Sequence, residues 1–175
     1  MRILPLIRRT LPDAPDLLLE FCSSGDKRYK EIRSRHYVDS RGTHAQQVHY
    51  LIWYRMAGET DHKVVGIISG AAAVYRDKAR DKFFGITDEN RKHALNGIIH
   101  NTAFRLEVHP KRPDRRGQLR GFLASEVLAL FRRVAAQHWE NIYGAKVFGF
   151  ETFVDTGTDG GCYVVDNWTQ CGEKE

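Results

Sequence analysis

The strongest pattern in the sequence is helical, and it lies between two apolar segments. Residues 102–109 and 146–154 predict strands, and a strand–helix–strand unit places its two strands parallel in one sheet. This unit constrains the fold more than any other feature, because the helix needs a sheet face on which to pack. The helix ends near Gly144, and its apolar positions recur at i, i+3, i+4 and i+7: Leu119, Phe122, Leu123, Val127, Leu130, Phe131, Val134 and His138.

The segment before this unit predicts an antiparallel hairpin. Residues 49–56 and 63–69 are rich in β-branched and aromatic side chains, and residues 58–61 form a turn between them. Together with the parallel pair, the hairpin makes the sheet mixed. We therefore predict an α/β fold with a mixed, α+β-type sheet, in a single domain over residues 1–175.

The remaining segments predict a short strand and several helices. Residues 3–7 are apolar enough for the strand. A Pro and an Asp within residues 13–16 favour a helix through Leu17, Leu18 and Phe21. Two further helices are expected over residues 27–35 and 88–99.

Composition indicates a globular protein and favours an anionic partner, although many soluble proteins have a similar charge. Of the 175 residues, 42% are hydrophobic and 28% charged, which excludes a long disordered chain. No segment approaches the roughly 20 apolar residues of a membrane span. The three cysteines are odd in number and fit no zinc spacing, which predicts a cytoplasmic protein with free thiols, with a Cys162–Cys171 pair left open. The net charge of +5 favours nucleic acid or a phosphorylated cofactor.

A basic segment precedes the long helix. A helix start offers unpaired N–H groups, and Gly117 and Gly121 would let a phosphate approach closely. This arrangement suits either a pyrophosphate or a DNA backbone, and a solvated charged loop is the alternative. The cations are Lys111, Arg112, Arg115, Arg116 and Arg120.

Histidine, tyrosine and carboxylate side chains supply candidates for chemistry. His36, Tyr37 and Asp155 suit proton transfer, or ligation of iron or manganese by imidazole and carboxylate. Glu151 lies within an apolar strand and must pair or face solvent, with Arg105 as its expected partner if the strands are adjacent. An ordinary surface histidine and a paired structural carboxylate are the alternatives.

Near the C-terminus, three side chains could recognise a nucleobase. Tyr163 and Trp168 could stack on a base, and Asn167 could hydrogen-bond it. The same side chains could instead cap the core.

The motifs taken in order resemble a known family. They resemble those of the phage Mom DNA-modification proteins and of the related DruA proteins of Druantia anti-phage systems, over about residues 28–170. The matching segments include Glu-Thr-Phe-Val-Asp at 151–155, Gly-Cys-Tyr at 161–163 and Asn-Trp at 167–168. The other segments are 35–37, 66–73, 91–96, 101–105, 123–128 and 139–144.

The resemblance implies a fold similar to the GNAT acyltransferases. In that fold the cofactor pyrophosphate rests on the loop before the long helix, which here carries Arg116, Gly117, Gln118 and Gly121, although Leu123 stands where the usual motif has a small residue. Arg105 and Ser125 match the family's strand arginine and helix serine, which are assigned to cofactor binding. The implied cofactor is acetyl-CoA or a related acyl donor.

The resemblance also implies an activity. Mom proteins add a small acetamide-type (carbamoylmethyl) group to adenine N6 in duplex DNA, which protects phage DNA from restriction. His36, Tyr37 and Asp155 match proposed catalytic or iron-binding positions, with His36 and Asp155 as the metal ligands and Glu151 as a further catalytic candidate. The partner would be double-stranded DNA in the host cytoplasm, with Lys111, Arg112, Arg115 and Arg120 on phosphates, and Tyr163, Asn167 and Trp168 near a flipped base. A homodimer would help to grip the duplex.

Three other functions remain open from the sequence. The first is a DNA-binding defence component of the DruA kind, without transfer chemistry of its own. The second is an ordinary GNAT N-acetyltransferase that acts on a protein or small-molecule amine. The third is a metal-dependent nuclease, because His, Asp and Glu can also hold a metal for phosphodiester cleavage.

Overall fold

A computed structural model of the chain describes residues 7–9, 17–36, 46–155, 157 and 160–172. Within these ranges the chain forms an α+β domain with one mixed sheet, a separate two-stranded ribbon and five helices. The strands are β1 (Ile7–Arg9), β2 (Leu17–Cys22), β3 (Gln47–Tyr54), β4 (Lys63–Ala72), β5 (Ile98–Leu106), β6 (Lys111–Pro113), β7 (Leu119–Gly121) and β8 (Gly149–Thr152). The helices are α1 (Lys27–Arg33), α2 (Lys78–Phe84), α3 (Arg91–Asn96), α4 (Leu123–Tyr143) and α5 (Gly161–Val165).

The sheet confirms the predicted strand–helix–strand unit. Its order is β1-β2-β3-β4-β5-β8, and neighbouring strands are antiparallel except for β5 and β8. These two run parallel, with Ile98 opposite Gly149 and Asn101 opposite Thr152, and α4 connects them. The β3–β4 hairpin also forms as the sequence predicts.

Helix α4 builds the main core against one face of the sheet. Its apolar stripe, which includes Val127, Phe131 and Val134, is buried against side chains of β2, β3, β4 and β5. A side chain at Gly70 on β4 would collide with Ile99 and Phe131, since its Cβ would lie 2.5 Å from Ile99 Cγ2. The small residue therefore allows the close approach of α4 to the sheet. The helix ends at Gly144, which adopts the left-handed conformation at φ 69°.

Helix α1 covers the opposite face. Asp26 caps its first turn by accepting a hydrogen bond from the Arg28 N–H at 2.9 Å. Tyr29 and Ile32 then pack on Leu51 and Ile67 in a second, smaller core cluster. The predicted helix over residues 27–35 is thus confirmed, apart from its last two residues.

The predicted helix through Leu17, Leu18 and Phe21 is wrong. These residues form β2, which pairs with β3 from Leu17 opposite Tyr54 to Cys22 opposite His49. Leu17 and Leu19 are buried in the main core. The helix propensity of leucine is only a few tenths of a kcal/mol per residue, and strand pairing with burial outweighs it. The Pro and Asp expected to begin that helix, within residues 13–16, lie outside the described residues.

Two other boundaries differ from the prediction. The helix expected over 88–99 is confined to α3, because Ile98 and Ile99 are buried in β5. The basic segment forms the β6–β7 ribbon instead of a loop, so α4 begins at Leu123 and Leu119 lies on the ribbon. Among the described helices, none is both long enough and apolar enough to traverse a bilayer.

Candidate functional site

The parallel strands β5 and β8 separate at one end of the sheet. Their pairing ends at Asn101 and Thr152, whereas β5 continues to Leu106. The register between β4 and β5 also shifts between Ser69 and Gly70, which leaves Thr102 as an extra residue on β5. Ligands commonly bind at the carboxyl ends of parallel strands in such sheets, so this end of the sheet is a candidate site.

His36 lies against the continuation of β5. His36 follows the end of helix α1 by three residues, and its Nε2 accepts a hydrogen bond from the Phe104 N–H at 3.4 Å. The Arg105 guanidinium donates to the Arg35 carbonyl at 2.7 Å and also pairs with Glu107. These bonds bring His36 and Arg105, both singled out in the sequence, to the same stretch of β5. Tyr37 lies outside the described residues.

Tyr163 joins this end of the sheet through Asn101. The Tyr163 hydroxyl donates to Asn101 Oδ1 at 2.8 Å, and the Asn101 amide donates to the carbonyls of Ser69 and Ala103 at 2.8 and 3.1 Å. Asn101 is buried, so it fixes the bulged part of β5 while it holds Tyr163. Asn101 was not among the site residues predicted from the sequence. A polar residue within the apolar run of β5 was the signal that could have indicated it.

Trp168 caps the core instead of standing free to stack on a base. Its ring packs edge-on against Tyr163 at 5.1 Å, and its Nε1 donates to Asp166 at 2.8 Å. Asp166 is itself held by Arg132 at 2.7 Å. Asn167 is exposed in the left-handed conformation at φ 62°. Of the three C-terminal candidates, Asn167 is therefore the most exposed.

Asp155 follows β8 and is exposed. Its carboxylate accepts a hydrogen bond from the Gly157 N–H at 3.3 Å. In the part of the chain that the structure describes, no group of three or more His, Cys, Asp and Glu side chains is placed to hold a metal ion. An iron centre built on His36 and Asp155 therefore stays a prediction.

Glu151 is buried and held by a different partner from the one predicted. Arg80 of α2 donates to its carboxylate at 3.0 Å, His100 Nδ1 lies 3.3 Å away, and the Val74 N–H donates at 3.3 Å. The expected pairing with Arg105 is wrong, because the β5–β8 register places His100 opposite Glu151. Arg80 also pairs with Asp81 at 2.8 Å, so this cluster ties α2 to the edge strand β8.

The turn of the β6–β7 ribbon is closed by its own carboxylate. Asp114 Oδ1 accepts the N–H groups of Gln118 at 2.9 Å and Arg116 at 2.8 Å, and these bonds lower the pKa of Asp114. Gly117 takes the left-handed conformation that the turn requires, at φ 74°. The N–H groups of Arg116, Gly117 and Gln118 are thus bonded within the turn, and a pyrophosphate site on this segment stays a prediction.

Three cations of the ribbon have no acidic partner among the residues that the structure describes. Arg112 pairs with Glu126 of α4, and Arg120 pairs with Asp114 at 2.9 Å. Within the described residues, no ion pair involves the other three, Lys111, Arg115 and Arg116, and all three are exposed. Ser125, in the first turn of α4, donates to the Phe122 carbonyl at 3.0 Å. The ribbon is therefore an electropositive projection beside the end of β5.

A family described as DruA, Druantia protein DruA, matches residues 15–164. No curated protein and no solved structure matches the chain.

Proposed function

This chain belongs to the Druantia protein DruA family, and from that premise we propose that it is an anti-phage defence component that binds double-stranded DNA. The observation that carries the DNA-binding part is the unneutralised charge of the β6–β7 ribbon. Lys111, Arg115 and Arg116 lie within six residues of one another, and the structure gives them no carboxylate partner among its described residues.

Unpaired surface cations contribute more to binding of a polyanion than to stability of the fold. A surface cation with no partner adds little to stability, whereas a cation that neutralises a phosphate releases counterions and strengthens DNA binding. The net charge of +5 acts in the same direction. A protein of the Druantia kind that recognises phage DNA would use such a surface for its first contact with the duplex.

Salt titration of DNA binding tests this proposal. The chain should bind a synthetic duplex, and the logarithm of its affinity should fall linearly with the logarithm of salt concentration. The double variant R115A/R116A should lower the steepness of that fall by about 2, since each lost phosphate contact contributes about 0.9.

The matched control is K92A/K146A, which removes the same charge from two exposed lysines away from the ribbon. This control should behave like the wild type. Wild-type protein that binds no duplex at low salt would refute the proposal.

A second candidate function is base modification of the Mom kind within a GNAT-like fold. The order of elements favours it: an antiparallel run β2-β3-β4-β5, then α4, then a parallel β8 that diverges from β5. There His36 and Tyr163 bond to β5, and Asp155 follows the end of β8. Alkylation of adenine N6 requires a group that removes an N6 proton as the new N–C bond forms, and imidazole and carboxylate side chains are suited to this role.

Nucleoside mass spectrometry tests the second candidate. DNA from cells that express the chain should contain an adenosine heavier by an acetamide-sized group, and DNA from cells with Asp155→Ala should lack it. Unmodified DNA from cells with abundant folded wild-type protein would exclude the modification in that host, while leaving DNA binding untouched.

A further inference from the structure

The two faces of the β6–β7 ribbon have different chemistry. Pairing places Arg112 opposite Arg120 on one face, and both arginines have carboxylate partners, in Glu126 and Asp114. The guanidinium of Arg112 also lies 4.8 Å from the centre of the Phe122 ring. This face is therefore neutralised and directed towards the start of α4.

The other face is apolar and open. Here pairing places Pro113 opposite Leu119 and Lys111 opposite Gly121. Leu119 is 66% exposed, which makes it one of the most exposed large apolar side chains in the described residues. Pro113 is exposed as well, so two apolar side chains stand together in water beside a free lysine.

The turn presents its arginines rigidly. The Asp114 carboxylate binds two backbone N–H groups, and the Gly117 N–H donates to the Asp114 carbonyl at 2.9 Å. Arg115 and Arg116 occupy the two central positions of this turn, with exposed side chains. A turn fixed in this way loses little conformational freedom when it binds, which favours affinity.

We propose that the β6–β7 ribbon enters the minor groove of duplex DNA, with Arg115 and Arg116 lying along the groove and the Pro113–Leu119 pair wedged against a base step. The inference rests on the proposed DNA-binding function and specifies how that function is performed. Arginine in the minor groove beside an apolar wedge of leucine or proline is a combination that kinks DNA. Reading of base edges in the major groove would instead require polar side chains on the open face, where Lys111 is the single polar one.

The ribbon is wide for the minor groove of B-form DNA. Two paired strands lie about 4.8 Å apart before their side chains are counted, and the minor groove of B-form DNA is about 6 Å wide. The ribbon can enter only if the groove widens, and the Pro113–Leu119 wedge would then unstack a base step. Flexible pyrimidine–purine steps open at the lowest cost, so the ribbon should prefer them over stiff A-tracts.

The test uses the full chain and a duplex that carries a fluorescent adenine analogue at a central TA step and a dye pair at its ends. Binding should raise the fluorescence of the analogue as its step unstacks, and should shorten the distance between the dyes as the duplex bends. The variant Leu119→Ser should lose both signals and bind about tenfold more weakly, with the wild-type salt dependence retained. The double variant R115A/R116A should bind weakly at every salt concentration and show a shallower salt dependence.

Val164→Ser is the matched control, because Val164 is 68% exposed on α5, away from the ribbon. It should behave like the wild type. Circular dichroism of each variant checks that the fold is intact, and substitution of exposed side chains should leave it so.

The outcomes separate this inference from the proposed function. Wild-type binding without unstacking or bending would overturn the groove insertion while leaving DNA binding in place. Ribbon variants that bind like the wild type would also overturn the groove insertion, because the DNA would then lie elsewhere on the protein. Wild-type protein that binds no duplex would overturn both.

Discussion

His138 is a buried histidine that the fold keeps neutral. It is 2% exposed on α4, and its Nδ1 lies 2.9 Å from the Tyr50 hydroxyl on β3. Burial lowers the pKa of His138 below the usual 6.5. Burial, together with the charge of Arg33, likewise lowers the pKa of His49. In both cases the imidazole is protonated at a higher pH in the unfolded chain than in the folded chain.

This difference predicts loss of stability in mild acid. Below pH 6.5 the unfolded state binds more protons than the folded state, so the free energy of unfolding should fall as pH decreases, by up to about 1.4 kcal/mol per pH unit for each group. Urea unfolding at a series of pH values between about 8 and about 5 measures this slope. The variant His138→Gln should have a shallower slope, and an unchanged slope would show that His138 is not responsible.

Asn101 is the residue whose loss should damage the separated strand end most. The variant Asn101→Ala leaves the Ser69 and Ala103 carbonyls without their donor and Tyr163 without its acceptor. We expect a loss of about 2–3 kcal/mol in the free energy of unfolding, since each buried polar group left unpaired costs about 1–3 kcal/mol. Tyr163→Phe removes one hydrogen bond and should cost about 1 kcal/mol. Equal costs for the two variants in urea unfolding would contradict this reading.

At this scale the sequence showed which residue types matter but not which residues meet. It indicated that Glu151 must have a partner, because a carboxylate within an apolar strand is costly to bury alone. The partner proved to be Arg80, seventy-one positions away, because strand register and the placement of α2 decide the pairing. The local sequence determines neither the strand register nor the placement of α2.

Among the secondary-structure elements, α2 is held to the edge of the sheet by buried charge. Arg80 binds Glu151 of β8 and Asp81, and Arg91 of α3 also binds Asp81. Burial alone would raise the pKa of Asp81, but the hydrogen bonds from Arg91 and Arg80 outweigh it and lower that pKa. The arginines and carboxylates alternate, so each buried charge is balanced.

Removal of one member should therefore cost more than removal of a pair. Arg80→Ala leaves Glu151 buried without its main partner, and we expect a loss of about 3–5 kcal/mol in the free energy of unfolding. The double variant R80L/E151L removes both charges and should recover part of that loss. Thermal or urea unfolding of both variants provides the comparison. A double variant as unstable as the sum of the two single variants would contradict the coupling.

Elements with long periodic patterns were predictable, and short ones were not. The stripe of α4 extends over five turns, so it determined the helix and its parallel strand pair. Segment 17–22 is too short for its period to be read, and its neighbours in the sheet decided its conformation. The ribbon was missed because its strands have three residues each and alternate weakly in polarity.

At the scale of the whole molecule, the three thiols report on opening of the sheet. Cys22 is buried in β2, and burial, with added repulsion from Asp26 and Glu20, raises its pKa to about 12. Cys171 is exposed near the end of the described chain. All three cysteines are free, which confirms the prediction of unpaired thiols.

These positions predict a large difference in labelling rate. In native protein at mildly alkaline pH, a thiol reagent should modify Cys171 first, and Cys22 only as fast as the sheet opens globally. Peptide mass spectrometry over a time course resolves the sites. Addition of urea below the unfolding midpoint should accelerate the labelling of Cys22 far more than that of Cys171, and rapid labelling of Cys22 without urea would contradict its burial.

The ribbon is inserted between β5 and α4, and its Arg112 pairs with Glu126 and lies over the Phe122 ring. Its other side chains face solvent almost throughout, so the core does not depend on them. The segment can therefore lengthen, shorten or change sequence over evolutionary time at little cost to folding. Under the proposed DNA-binding function, substitutions in this segment would change the contacts with DNA and leave the core of the domain intact.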